Sequence, residues 1–118
     1  MILLIADDEK TIRNGLLSLP WADIGIEEVY QAENGLAAKE ILKEKRIDIV
    51  ISDIKMPGLS GLELAEYIKE CSMDTAVVFL TGYSDFEYAR KAIRNQVCDY
   101  LLKPIRTKDI LETVERVI

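Results

Sequence analysis

Five polar residues stand at the ends of apolar runs in this chain. Asp7 and Asp8 follow Ile2–Ala6, Asp53 follows Ile47–Ser52, Thr81 follows Ala76–Leu80, and Lys103 follows Val97–Leu102. If those runs are parallel strands of one sheet, all five residues gather on one rim. Three carboxylates placed together repel one another, and a hard divalent cation relieves that repulsion. Magnesium suits the purpose, because it takes oxygen ligands and is commonly held by one or two carboxylates plus phosphate oxygen. Lys103 adds a second positive charge. A carboxylate beside such cations can accept a phosphoryl group, since they neutralise charge on the transferring oxygens. The product is an acyl phosphate, with the carboxylate as nucleophile. Taken singly, each residue is an ordinary turn, cap or solvated group. Their recurrence at corresponding strand ends is what points to chemistry.

The elements that must position these residues alternate along the chain. Ile2–Ala6 is a continuous apolar run, as a strand buried on both faces requires. A helix follows from Lys10 to Leu19, with Ile12, Leu16 and Leu19 inward, and Pro20 ends it. Glu28–Ala32 is a second, weaker strand. Asn34 caps a helix from Gly35 to Lys45, with Ala37, Ala38, Ile41 and Leu42 facing the core. Ile47–Ser52 is the third strand, and a loop from Asp53 to Leu59 carries Pro57 and Gly58. Ser60 and Glu63 form a capping box for a helix with Leu64, Ala65 and Ile68 inward. Ala76–Leu80 is the fourth strand. Ser84 and Glu87 repeat the capping box for a helix that buries Ala89 and Ile93. Val97–Leu102 is the fifth strand, and Thr107 caps a last helix with Ile110, Leu111, Val114 and Val117 inward. Strands alternating with helices in this way imply a parallel sheet covered on both faces. Ligands of such sheets bind beyond the carboxyl ends of the strands.

The 118 residues suit one domain, with a core large enough to stand without metal or disulfide staples. The formal net charge of −6 argues against nucleic-acid or membrane-surface binding by the domain itself. The absence of histidine excludes a Ser–His–Asp triad and a Cys–His pair. Cys71 and Cys98 lie in no Cys-x-x-Cys pattern and read as packing or near-surface thiols of a reducing compartment. No apolar run reaches the roughly 20 residues of a membrane helix, and Met1–Ala6 lacks the charged start of a signal peptide. The chain is accordingly expected to be cytoplasmic.

The residues that carry the chemistry resemble the receiver domain of bacterial two-component response regulators, over the whole chain. Ile5-Ala6-Asp7-Asp8-Glu9 is similar to that family's acidic opening, and Ser52-Asp53-Ile54-Lys55-Met56-Pro57-Gly58 to its phosphorylation loop. Leu80-Thr81-Gly82-Tyr83 and Asp99-Tyr100-Leu101-Leu102-Lys103-Pro104 are similar to its two switch segments. The resemblance implies a flavodoxin-like (βα)5 doubly wound fold with a five-stranded parallel sheet of order 2-1-3-4-5. By the same resemblance, Asp53 is the phospho-acceptor. Asp8, Asp53 and the backbone carbonyl of Lys55 hold magnesium, with Asp7 reaching it through water. Thr81 and Lys103 bind the phosphoryl group, and Tyr100 is the aromatic ring that turns inward with Thr81. Pro104 implies a cis-proline loop that aims Lys103. Lys55 and Tyr83 flank the path of attacking water and so bear on phosphoryl lifetime.

The implied partner is a sensor histidine kinase, and the implied work is a switch that remodels a protein surface. That surface should join a basic row, Arg90, Lys91 and Arg94, to an acidic row on the last helix, Asp109, Glu112 and Glu115. Homodimerisation on phosphorylation is one use for it. Leu19-Pro20-Trp21 and the segment Gly82-Tyr83-Ser84-Asp85-Phe86-Glu87-Tyr88-Ala89 are similar to receivers joined to AraC-type helix-turn-helix DNA-binding domains. Residues 1–118 are thus expected to be a receiver excised from a longer transcription regulator. Trp21 itself reads as a packing residue. A haloacid-dehalogenase-type phosphatase fits less well, because it needs Asp-x-Asp after the first strand. A flavodoxin-like electron carrier fits less well again, since Asp7-Asp8-Glu9 would repel a flavin phosphate. A degenerate receiver serving only for docking would not need the full set of site residues.

Overall fold

The apolar runs assemble into one parallel sheet in the order β2-β1-β3-β4-β5. The strands are β1 (Ile2–Ala6), β2 (Glu28–Ala32), β3 (Ile49–Asp53), β4 (Ala76–Thr81) and β5 (Asp99–Leu102). The helices are α1 (Lys10–Leu17), α2 (Gly35–Glu44), α3 (Gly61–Glu70) and a C-terminal helix (Thr107–Val117), with a short 3-10 turn at Trp21–Ile24. This computed structural model describes residues 1–71, 73–81, 99–102 and 106–117, and for residues 81, 99, 100 and 102 the backbone alone. The helix expected after Ser84, Cys98 and the start of the fifth strand at Val97 lie outside the described residues. Among the described residues, no helix is long and apolar enough to cross a membrane.

The period-two alternation of the strands divides the core between the two faces of the sheet. Leu4, Ala6, Val50 and Phe79 pack with Ala38, Leu42, Leu64 and Ile68 of α2 and α3. Leu3, Ile5, Ile49, Ile51, Val78 and Leu80 pack on the other face with Leu16 of α1 and with Ile110 and Val114 of the C-terminal helix. Burying one such side chain contributes about 1.5–3 kcal/mol. Exposed pairs such as Lys43–Glu40, at 3.3 Å, contribute about 0–1 kcal/mol. Packing on both faces, rather than surface charge, therefore fixes where the strand ends lie.

Several boundaries differ from expectation for local reasons. Helix α1 stops at Leu17 rather than Leu19, because the chain tightens there: the Leu19 amide donates to the Leu16 carbonyl at 3.2 Å. The 3-10 turn that follows has no long apolar period to announce it. It closes at Gly25, whose φ of 89° favours glycine. Strand β3 begins at Ile49 because Asp48 leads it in, its carboxylate accepting from the Ile2 amide at 2.8 Å. Asp53 is the last residue of that strand, paired with Leu80, rather than the first of the loop. Thr107 is the first residue of the C-terminal helix rather than its cap. The Arg106 carbonyl takes the first helical bonds, from the Asp109 and Ile110 amides at 3.0 and 3.2 Å. The two expected caps within α2 and α3 are present. Asn34 accepts from the Ala37 amide at 2.8 Å, and Ser60 and Glu63 form a complete capping box.

Candidate functional site

Strand register brings the acids together. Ile5 pairs with Ile51 and Ala6 with Ser52 across β1 and β3. Leu3, Ile5, Ile49 and Ile51 share one face. Asp7 and Asp53 are the next positions in that alternation, so they emerge on the same face at the carboxyl rim. Asp7 is 0% and Asp53 7% exposed, whereas Asp8 is exposed. One carboxylate oxygen from each of the three lies within 4.8 Å of the others.

Short backbone contacts orient the two buried carboxylates. Asp7 Oδ1 accepts from the Glu9 amide at 2.9 Å. Asp53 Oδ1 accepts from the Ile54 amide at 2.7 Å. Arg13 ties the first loop down: its Nη1 donates to the Asp7 carbonyl at 2.7 Å and its Nε to Gln31 Oε1 at 3.3 Å. Sequence reasoning missed Arg13, whose place on α1 carries no motif. It also missed Ser52, a fully buried hydroxyl that donates to the Asp53 carbonyl at 2.8 Å. A polar residue in an otherwise apolar strand was the available signal.

The donor set fits a hard divalent cation. It consists of carboxylate oxygens on a half-open rim, which suits magnesium or calcium better than the softer metals. Lys55 lies two residues beyond Asp53, with its side chain exposed. Thr81 ends β4, one residue past the Leu80 that pairs with Asp53, and it stands opposite Leu102. Its backbone is therefore at the same rim. Tyr100 pairs with Phe79 inside β5. Lys103, Pro104 and Tyr83 lie outside the described residues.

Comparison with known proteins agrees over nearly the whole chain. The family model described as response regulator receiver domain matches residues 3–115. The chain is 38% identical to the transcriptional regulatory protein YesN of Bacillus subtilis, over 98% of its own length and 32% of that protein's. It is 39% identical to the solved REC domain of AraT, a response regulator from Geobacillus stearothermophilus, with a TM-score of 0.87 and coverage of 98% and 91%. A two component transcriptional regulator AraC from Clostridium phytofermentans is 32% identical, with a TM-score of 0.91 over 98% and 91% of the two chains. The chain spans about a third to two fifths of the length of the curated relatives it matches.

Proposed function

This chain belongs to the response regulator receiver domain family, and on that premise we propose that it takes a phosphoryl group from the phosphohistidine of a sensor histidine kinase onto Asp53. The observation that carries the reading is the convergence of Asp7, Asp8 and Asp53 at one rim. An Asp53 carboxylate oxygen attacks phosphorus, the phosphorus–nitrogen bond of the donor breaks, and the departing imidazole takes up a proton. Asp8, Asp53 and the backbone carbonyl of Lys55 would hold magnesium, with Asp7 reaching it through water. When bound, the ion neutralises charge on the transferring oxygens.

The chain's own residues then supply the switch. Lys103 pairs with the new phosphoryl charge, aimed by the loop at Pro104. The Thr81 hydroxyl turns to a phosphoryl oxygen, and Tyr100 follows inward. Phosphorylation acts only through its differential stabilisation of that rearranged state. The changed surface passes to an output domain, AraC-type and DNA-binding in the reading supported by the AraC regulator among the similar structures. A cytoplasmic location follows from dependence on a kinase's phosphohistidine. Incubation with acetyl phosphate, with and without magnesium, tests the reading by intact mass. A single phosphoryl increment that needs magnesium and is lost in Asp53→Asn is expected. Labelling that persists in Asp53→Asn would remove Asp53 as acceptor.

A further inference from the structure

We propose that Ser52 is a positioning residue for Asp53, acting through the peptide group that joins Asp53 to Ile54. The inference rests on Asp53 being the phosphoryl acceptor. A peptide unit is a rigid plate, so its carbonyl oxygen and its N–H turn together. Here both edges of one plate are held. Ser52 Oγ, fully buried, donates to the Asp53 carbonyl at 2.8 Å. At the other edge, the Ile54 N–H donates to Asp53 Oδ1 at 2.7 Å. The hydroxyl thus grips the plate whose opposite edge grips the carboxylate.

Helix α3 closes the remaining side. Gly61, its first residue, stands so near that a Cβ there would overlap the Asp53 carbonyl oxygen and come within 3.0 Å of Ile54 Cα. The Gly61 amide donates to the Ile54 carbonyl at 2.7 Å. The plate therefore lies between a buried hydroxyl and a helix start that admits no side chain. Ser52 alternates with Asp53 along β3, so it reaches the carboxylate only through the backbone. It faces the core beside α2 and α3, where its paired neighbours are Ala6 and Phe79. A hydroxyl in that apolar setting needs an acceptor. The acceptor it takes is the carbonyl that sets the orientation of Asp53. In-line transfer depends steeply on such orientation.

The variants Ser52→Ala and Ser52→Cys test the proposal on the whole domain, by acetyl-phosphate labelling with magnesium and by hydrogen exchange of the Ile54 amide. Ser52→Ala should label about fivefold more slowly, the effect of one lost hydrogen bond, and its Ile54 amide should exchange faster by a similar factor. Ser52→Cys keeps a side chain of similar size with a weaker donor, and should shift both readouts in the same direction. It also serves if the alanine variant fails to fold. Labelling at the wild-type rate in a folded variant would overturn the proposal. Slower labelling with an unchanged Ile54 amide would also overturn it, since the hydroxyl would then act by another route. A wild-type chain that takes no label would refute Asp53 as acceptor, while the amide comparison would still decide whether Ser52 holds the plate.

Discussion

Asp7 and Asp53 stand side by side one step beyond the Ala6–Ser52 pair of β1 and β3, both buried. Nothing in strand packing requires two carboxylates there. One carboxylate oxygen of each lies within 4.8 Å of one on Asp8, and partial burial screens charge less than bulk water does. A divalent cation held there, as proposed above, would bind the folded state only.

Magnesium should therefore stabilise the domain by mass action. At a concentration about 100 times its dissociation constant, the gain is about 2.7 kcal/mol, a rise of several degrees in Tm that a chelator reverses. Asp8→Asn should raise Tm without magnesium and lose most of the magnesium response. Thermal denaturation of both chains, with and without the ion, gives the comparison. An unaltered magnesium shift in Asp8→Asn would exclude Asp8 as a ligand.

Trp21 makes a separate prediction, because it lies at the other end of the sheet. It precedes β2, with the Ile26 amide donating to its carbonyl at 3.1 Å, whereas the acids follow the strands. Direct quenching by magnesium is not expected from that position. The indole is 3% exposed and its Nε1 donates to the Leu16 carbonyl at 2.8 Å. It shares a core cluster with Ile110 and Val114 of the C-terminal helix. Trp21→Ala should cost about 3–5 kcal/mol. Trp21→Phe, which keeps most of the ring packing, should cost far less. Urea unfolding separates the two, and equal, small losses would mean the ring contributes little to the core.

What the sequence made legible follows from period and spacing. Ile2–Ala6 and Ala76–Leu80 read as buried strands because continuous apolar runs suit a sheet covered on both faces. Asp7, Asp8 and Asp53 were legible because each follows such a run. The 3-10 turn at Trp21–Ile24 was not, since four residues carry no helical period. The end of β3 was misplaced because an aspartate reads as a turn residue, while here sheet pairing with Leu80 extends the strand through it. Arg13 and Ser52 escaped notice because each donates to a backbone carbonyl, a partner that no residue type announces, although Ser52 stood out as a polar residue in an apolar strand.

The lifetime of the phosphoryl group should depend on Lys55 and Tyr83. Hydrolysis needs a water in line with the phosphorus–oxygen bond, and two long side chains at its approach hinder that geometry. Lys55 is two residues from Asp53, with its side chain exposed. Exchanging Lys55 for Asn and Tyr83 for a small or acidic residue should speed loss of label severalfold. The mass of labelled protein followed over time provides the rate. An unchanged decay would show that these side chains point elsewhere.

The output surface gives the last prediction. Along the C-terminal helix, the acidic row is already engaged in part with its own cations. Asp109 meets Arg106 at 3.6 Å and Glu112 meets Lys108 at 3.9 Å, while Glu115 is exposed. The proposed basic counterpart, Arg90, Lys91 and Arg94, lies outside the described residues. Exposed pairs of this kind contribute about 0–1 kcal/mol each, so exchanging them for contacts across a two-fold axis costs little. Such a contact would be steered by charge and weakened by salt. Sedimentation with and without a beryllium fluoride phosphoryl mimic, at low and high salt, is the measurement. A dimer formed only with the mimic and dissociated by salt is the expected result, and Glu112→Lys should weaken it. A monomer under every condition would remove the two-fold contact for this fragment and leave contact with an appended domain as the use to test next.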